Sequence, residues 1–231
     1  MTIPHPPRRS ALAAVLLDVD GTLIDSNDAH ARAWVAALHE HGYIVPFERV
    51  RPLIGMGGDK LLPGLVGLDP ESGEATRIAE SRAEAFRREL PTLRPTRGAR
   101  ALLELLREEG LERVVATSAQ AEEVQSILEQ AGVADLIGTT ASSGDAEHSK
   151  PDPDIVQAAL RKSGRTSAHA IMIGDTPYDI EAARRARVPC IALRCGGWWD
   201  DAALADAVAI YEDPSDLRAR FASSPFMRAD A

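Results

Sequence analysis

Two aspartates, Asp18 and Asp20, stand in the segment LLDVDGTLID (residues 16–25) at the end of an apolar run. A strand that only fills a hydrophobic core has no use for acidic side chains at its end, because charged groups are costly to bury. Side chains two residues apart on an extended chain point to the same side. One carboxylate could therefore attack an electrophile as a nucleophile while the other handles a proton.

Polar residues also follow later apolar segments, at the strand ends where open parallel sheets bind ligands. They are a hydroxyl pair, a lysine and two further aspartates: Thr117, Ser118, Lys150, Asp175 and Asp179. Crowded carboxylates repel each other unless a cation lies among them or some are protonated. Oxygen ligands without a cluster of His or Cys indicate a hard ion such as Mg²⁺. A lysine, a hydroxyl and exposed amides would suit a bound phosphoryl group.

The elements that must position these residues are short apolar segments bounded by polar or turn residues. They lack clean polar alternation, which is typical of strands covered on both faces. Strands are predicted over 11–19, 113–118, 169–175 and 189–195, with weaker ones over 138–143 and 207–211. Helical periodicity predicts helices over 98–109, 121–131, 153–163 and 178–187. This alternation predicts an α/β fold with a doubly wound parallel sheet.

One interval interrupts this alternation, because residues 26–93 contain helical segments and no convincing strand. We interpret 26–93 as a helical cap domain inserted into a core domain formed by 11–25 and 94–231. Residues 1–10 are predicted to be a disordered tail. They are not interpreted as a signal peptide, because the apolar stretch that follows is only about seven residues long and has no cleavage-like segment after it.

The composition narrows the functional class. The formal net charge of −9 argues against nucleic acid as a partner, because phosphate backbones need a basic surface. No run of about 18 apolar residues occurs, so no membrane span is expected. The only cysteines, Cys190 and Cys195, make a disulfide framework improbable, and a cytoplasmic location is the default expectation.

Four short motifs in this order resemble those of the haloacid dehalogenase (HAD) superfamily. They are DVDGT (18–22), VVATS (114–118), the lysine of SKPDP (149–153) and GDTPYD (174–179). The position of the insert resembles members with a helical cap of the first type (C1), such as phosphoglycolate-phosphatase-like and β-phosphoglucomutase-like proteins. The resemblance implies a Rossmann-like core sheet and hydrolysis of a phosphate ester.

The resemblance also implies roles for the core residues. Asp18 would be the nucleophile that forms an aspartyl-phosphate, and Asp20 would be the general acid and base, with its main-chain oxygen on the metal. Lys150 would neutralise the nucleophile and the phosphoryl oxygens. The phosphoryl group would be bound by Thr117 and by main-chain amides near Ser118 and Gly21. Mg²⁺ would be the cofactor, ligated by Asp18, Asp20 and Asp175, and Asp179 would either hold it through water or orient Lys150.

Residues of the insert carry weaker indications. Ser26 and His30 lie in DSNDAHARAW (25–34), which resembles the hinge region of such members, near the general acid. The segment RPLIGMGGDKLL (51–62) falls where the family places its specificity loop. Its glycines, among them Gly57, allow close approach to a ligand, and Lys60 could meet an anionic substrate tail. We therefore predict that Ser26, His30, Gly57 and Lys60 bind substrate.

Several functions stay open at this point. The favoured one is a Mg²⁺-dependent phosphatase acting on a small-molecule phosphate ester, such as phosphoglycolate or a sugar phosphate, as a monomer or homodimer. A phosphomutase is the first alternative, although Gly58 stands where the mutases carry an arginine. A phosphonatase is disfavoured, although MGGDK (56–60) echoes its Schiff-base lysine segment, because such enzymes do not keep an Asp at position 20. A binding protein without turnover is the remaining alternative.

Overall fold

The computed structural model describes residues 12–227, so the predicted disordered tail over 1–10 lies outside the described residues. Within that range, six strands form one parallel sheet: β1 (Ala14–Leu17), β2 (Glu112–Ala116), β3 (Thr139–Ala141), β4 (Ala170–Gly174), β5 (Cys190–Leu193) and β6 (Ala209–Tyr211). Their order is β3-β2-β1-β4-β5-β6. Each predicted strand is present, the two weaker ones included, and the α/β class with a parallel sheet is confirmed.

The helices alternate with the strands after residue 98. In chain order the α-helices of the described residues are α1 (Asn27–Glu40), α2 (Phe47–Val50), α3 (Gly58–Val66), α4 (Gly73–Glu89), α5 (Ala99–Glu108), α6 (Ala121–Gln130), α7 (Asp154–Ser163), α8 (Pro177–Arg185) and α9 (Pro214–Ala219). The predicted core helices match α5 to α8. The prediction missed α2 and α9, which are too short for a helical period to stand out.

The central strand β1 is buried on both faces. Val15 and Leu17 belong to an apolar cluster that includes residues of α5, α6 and α9. Ala14 and Leu16 belong to a second cluster, which includes residues of α7 and α8. Alternate residues of a strand face opposite sides of the sheet, so a sheet with helices on both sides makes its central strands apolar throughout.

Residues 26–93, which we call the helical insert, carry α1 to α4 and an apolar cluster of their own. Trp34, Leu38, Leu61 and Ile78 are among its buried members. Two adjacent chain segments join the insert to the sheet: the amide of Asp25 donates to the carbonyl of Arg94 (2.9 Å), and the amide of Thr96 donates to that of Leu23 (3.1 Å).

Among residues 12–227, none of the helices has both the length and the apolar composition needed to cross a bilayer.

Candidate active site

The register of the sheet brings the acidic motif to one edge. Leu17 is paired with Val115 of β2 and Ile173 of β4, and the next amide, that of Asp18, still donates to the carbonyl of Ile173 (2.9 Å). The residues that follow these three strands therefore meet at the same edge. This agrees with the general rule that ligands bind at the carboxyl ends of parallel strands.

A cavity of about 400 Å³ lies between this edge and the helical insert. Asp18, Asp20, Thr117 and Ser118 line it from the sheet side. The insert contributes residues from α1, the segment before α3, and α4, among them His30, Trp34, Gly57 and Arg82. The insert thus supplies part of the cavity wall, and its residues can contact a substrate beyond the group that the acids handle.

Three buried carboxylates meet beside the cavity. Ligand oxygens of Asp18, Asp175 and Asp179 all lie within 4.8 Å of one another. The Lys150 ammonium, itself only 1% exposed, lies 2.5 Å from Asp18 Oδ1 and 2.7 Å from Asp179 Oδ1. The cluster therefore holds three carboxylates and one lysine, and it is short of positive charge.

This shortage shows in the pKa values. Burial raises the pKa of Asp18 to about 7; Lys150 opposes the rise, while the charges of Asp179 and Asp20 add to it. Burial also raises the pKa of Asp175 well above its usual range, again with the charges of Asp179 and Asp18, although Asn27 and Thr22 donate to its carboxylate. A divalent cation among these oxygens would remove the repulsion, so the donor set fits Mg²⁺.

Without a divalent cation, the Asp18 carboxyl is expected to make stability fall as pH rises. Its pKa is about 7 in the folded state and about 3.9 when unfolded, so between these values the folded state binds more protons. The free energy of unfolding then decreases from about pH 4 to about pH 7. We expect the decrease in the free energy of unfolding to be smaller in Asp18→Asn by roughly 1–3 kcal/mol. Urea unfolding in EDTA at pH 5 and pH 7.5 measures this difference.

The comparison with Asp18→Asn isolates this effect, because other acids, such as Asp20, have lowered pKa values and change stability in the opposite direction. Mg²⁺ in excess should abolish the difference between the pH slopes, since it favours the ionised carboxylate. Identical slopes for wild type and variant in EDTA would contradict the assignment.

Asp179 is held by the start of α8. Thr176 is the N-cap residue, and its amide and hydroxyl donate to Asp179 Oδ2 at 3.0 and 2.7 Å. The other carboxylate oxygen faces Lys150. This capping box satisfies helix-terminal donors and also fixes the carboxylate that orients the lysine, so the helical and the functional role coincide.

Asp20 has surroundings different from those of the three clustered carboxylates. Its Oδ1 accepts from the Ser26 hydroxyl (2.5 Å) and lies 2.8 Å from His30 Nε2. The His30 ring is stacked on Phe86, with centroids 3.8 Å apart. Burial acts to raise the pKa of Asp20, but the charge and hydrogen bond of His30 and the hydroxyl of Ser26 outweigh it and lower that pKa. Asp20 is thus a carboxylate fixed on the same cavity wall as Asp18; its main-chain oxygen as a metal ligand stays a prediction.

The hydroxyl pair after β2 lies on the cavity wall. Thr117 Oγ1 accepts from the amide of Ala119 (3.1 Å), which leaves its own hydrogen free to donate. Ser118 Oγ is buried and has no hydrogen-bond partner in the protein. Buried polar groups are normally paired, so an unpaired hydroxyl beside the nucleophile fits a site for an anionic oxygen.

Two predicted substrate contacts differ from the structure. The amide of Gly21 donates to the carbonyl of Ile24 (2.8 Å), so it is engaged in a turn and not free for a phosphoryl group. The ammonium of Lys60 lies 2.6 Å from Asp152, a residue of the core, and the side chain does not line the cavity. The acidic partner on the adjacent core loop draws Lys60 out of the cavity, which local sequence does not reveal.

The other predicted contacts differ in what they touch. Ser26 is fully buried and contacts Asp20, so it positions the acid instead of lining the cavity. His30 both lines the cavity and contacts Asp20. Gly57 lines the cavity, and its amide donates to the hydroxyl of Ser149 (3.0 Å), which ties the insert to the loop that carries Lys150.

Four residues of the site were not predicted from the sequence: Asn27, Trp34, Arg82 and Glu123. The Asn27 amide donates to Asp175 Oδ2 (2.8 Å), and the other three line the cavity. Arg82 did leave a signal, because it stands in the buried stripe of α4 together with Ile78 and Phe86. A charged residue in an apolar stripe indicates a paired or functional group.

Comparison with known proteins gives a family match. A family model described as haloacid dehalogenase-like hydrolase matches residues 15–193. A solved structure described as a hydrolase from Pseudomonas syringae superposes with a TM-score of 0.84 at 31% identity, over 91% of this chain and 98% of that one.

Several curated proteins are similar in sequence. Validoxylamine A 7'-phosphate phosphatase from Streptomyces hygroscopicus subsp. limoneus is 28% identical over 88% of this chain and 94% of its own length. A phosphoglycolate phosphatase from Rhodospirillum rubrum is 29% identical over 88% of each chain. The chain spans only 18% of a longer relative, the SUPPRESSOR OF QUENCHING 1 protein of Arabidopsis thaliana, which is 32% identical over 79% of this chain.

Proposed function

We propose that this chain, which belongs to the haloacid dehalogenase-like hydrolases, is a phosphatase that hydrolyses a small organic phosphate monoester with the help of Mg²⁺. One observation carries the proposal. The Asp18 carboxylate lines the cavity, is held by Lys150 at 2.5 Å, and has the fixed carboxylate of Asp20 beside it on the same cavity wall.

The first chemical step is attack of an Asp18 carboxylate oxygen on phosphorus. The new O–P bond forms an aspartyl-phosphate, the ester P–O bond breaks, and the leaving alkoxide takes a proton from Asp20. Although His30 lowers the pKa of Asp20 in the free protein, the negative charge of the arriving phosphoryl group favours proton uptake.

The second step returns the enzyme to its starting state. Asp20, now ionised, takes a proton from water, whose oxygen attacks phosphorus and breaks the bond to Asp18. Inorganic phosphate leaves, and Asp20 holds the proton for the next cycle. Lys150 lies between Asp18 and Asp179, so it offsets negative charge on the nucleophile throughout.

The metal would be held by Asp18 and Asp175, with Asp179 as a direct or water-mediated ligand. When bound there, Mg²⁺ would supply positive charge to the phosphoryl oxygens. The unpaired hydroxyl of Ser118 and the hydroxyl of Thr117 would donate to oxygens of the same group. The helical insert would act as a cap that keeps bulk water out of the cavity.

The relatives are named for different phosphate esters, phosphoglycolate and validoxylamine A 7'-phosphate among them, so their names do not agree on one substrate. The structure disfavours the mutase alternative at one position, because a Cβ on Gly58 would lie 3.2 Å from the ring of Trp34. An arginine there would need the ring to move. The phosphonatase alternative loses support too, because Lys60 pairs with Asp152 and not with groups of the cavity.

Phosphate release from a panel of monoesters, with Mg²⁺ and with EDTA, tests the proposal. We expect release from a subset of esters, at least about 10²-fold faster with Mg²⁺, because the clustered acids repel each other and the substrate without it. A coupled isomerisation assay on the same sugar phosphates separates the mutase. No release from any ester would contradict the proposal and favour a binding protein that has lost turnover.

A further inference from the structure

An ion pair between the helical insert and the core lies on the cavity wall. Arg82 of α4 and Glu123 of α6 approach to 3.0 Å, with side chains 11% and 13% exposed. The guanidinium also lies over the Trp34 ring, 5.5 Å from its centroid. The Nε atom of Arg82 is buried and has no hydrogen-bond partner. All three residues line the cavity.

The charges around this pair restrict what the cavity can accept. Among the described residues that line the cavity, Arg82 is the only Lys or Arg, and Glu123 already neutralises it. The other charged lining residues beyond Asp18, Asp20 and His30 are acidic: Asp59, Glu71 and Glu147. A second negative charge on a substrate would therefore find no free cation and several carboxylates.

We infer that the substrate is the phosphate ester of a neutral polyhydroxylated compound, a sugar or polyol, and not a phosphorylated carboxylic acid, with Arg82 and Glu123 as the specificity-determining residues. This inference rests on the proposed phosphatase function and narrows it. It selects one substrate class where the relatives' names do not agree on a substrate.

A carboxylate and a hydroxyl would place different demands on the pair. A substrate carboxylate at Arg82 would lie beside the carboxylate of Glu123, so two negative charges would share one guanidinium in a nearly buried setting. A substrate hydroxyl adds no charge, because it can donate to Glu123 and accept from Arg82 as a neutral group. The hydroxyl therefore fits the pair without like-charge repulsion.

The shape of the cavity agrees with a sugar. At about 400 Å³ it admits a six-carbon sugar phosphate, whereas a two-carbon acid would leave most of it unfilled. The indole of Trp34, which lies on the wall beside Arg82, adds apolar surface for the carbon skeleton of such a substrate. The wall therefore presents polar and apolar groups side by side, as a polyhydroxylated compound does.

Two matched substrate pairs test the inference on the full-length protein with Mg²⁺. In the first pair, 6-phosphogluconate carries a carboxylate where sorbitol 6-phosphate carries a terminal alcohol. In the second pair, 2-phosphoglycolate carries a carboxylate where 2-hydroxyethyl phosphate carries an alcohol. We expect kcat/KM to be at least about tenfold higher for the neutral member of each pair, because of like-charge repulsion at Glu123.

Glu123→Gln tests the role of the pair itself. It keeps the side-chain shape, removes the charge and frees Arg82. We expect kcat/KM for the acidic member to rise and the neutral-to-acidic ratio to fall about tenfold or more. The matched control is Asp152→Asn, which weakens a different ion pair between insert and core, Lys60–Asp152, outside the cavity. It should change both members of a pair by the same factor.

The outcomes separate the two proposals. If the wild-type protein prefers the acidic member of each pair, or shows no preference between the two members, the inference is overturned and the phosphatase proposal stays intact. If Glu123→Gln leaves thermal unfolding unchanged and lowers activity equally on both members of a pair, the ion pair only holds the insert closed. That result would also overturn the inference. Absence of Mg²⁺-dependent release from every ester overturns both proposals.

Discussion

Asp18→Asn is expected to lower kcat for phosphate release by on the order of 10⁴-fold or more, to the background rate, while the protein stays folded. An amide oxygen is a poor nucleophile, so the aspartyl-phosphate cannot form. The fold should survive because the substitution is isosteric and removes one of three crowded carboxylates, and Lys150 keeps Asp179 as a partner at 2.7 Å.

The measurement is single-turnover phosphate release with Mg²⁺, together with thermal unfolding of the same samples. Asp135→Asn is the matched control, because this aspartate is exposed and pairs only with Arg100 on the surface. It should keep wild-type activity. A folded Asp18→Asn protein that retains more than a few per cent of the activity would exclude Asp18 as the nucleophile.

Lys150→Met is expected to combine a large loss of activity with a large loss of stability. Lys150 is 1% exposed and faces two buried carboxylates, whose charges raise its own pKa although burial opposes them. Removing one partner of a buried ionic group leaves uncompensated charge, at a cost of about 3–5 kcal/mol. Activity should fall at least about 10³-fold, because the nucleophile loses its counter-charge.

Urea unfolding in EDTA and in Mg²⁺ measures the loss of stability, with Lys162→Met as the control. Lys162 pairs with Asp145 but is 42% exposed, so its loss should cost no more than about 1 kcal/mol. Mg²⁺ should stabilise Lys150→Met more than wild type, because the uncompensated carboxylates bind a cation more strongly. Equal destabilisation by the two substitutions would show that Lys150 does not neutralise the cluster.

The core motifs were predictable because each is local. Asp18 follows an apolar strand directly, and Thr117 follows the next one, so the chain itself carries each residue to the carboxyl edge of the sheet. Lys150 comes from a loop, yet its place after β3 has the same consequence. The parallel order of the strands then brings residues from distant parts of the chain to one cavity.

The insert was predictable only as a set of helices. The helical period identified 26–93 as helical, but it could not tell which polar group of a helix meets which partner in the core. Lys60 was expected in the cavity and instead pairs with Asp152. Arg82 was not considered and instead lies on the wall with Glu123.

The sequence by itself therefore determined the fold class, the strand ends and the acids and lysine that they carry, because these depend on short-range patterns and on the geometry common to parallel sheets. Only the tertiary structure decided which ion pairs join the insert to the core and how the crowded carboxylates shift each other's pKa values. It also decided which charges the insert presents to the cavity. Those features depend on pairs such as Arg82 with Glu123, which lie 41 residues apart. No local pattern specifies such a pair; the packing of α4 against the core does.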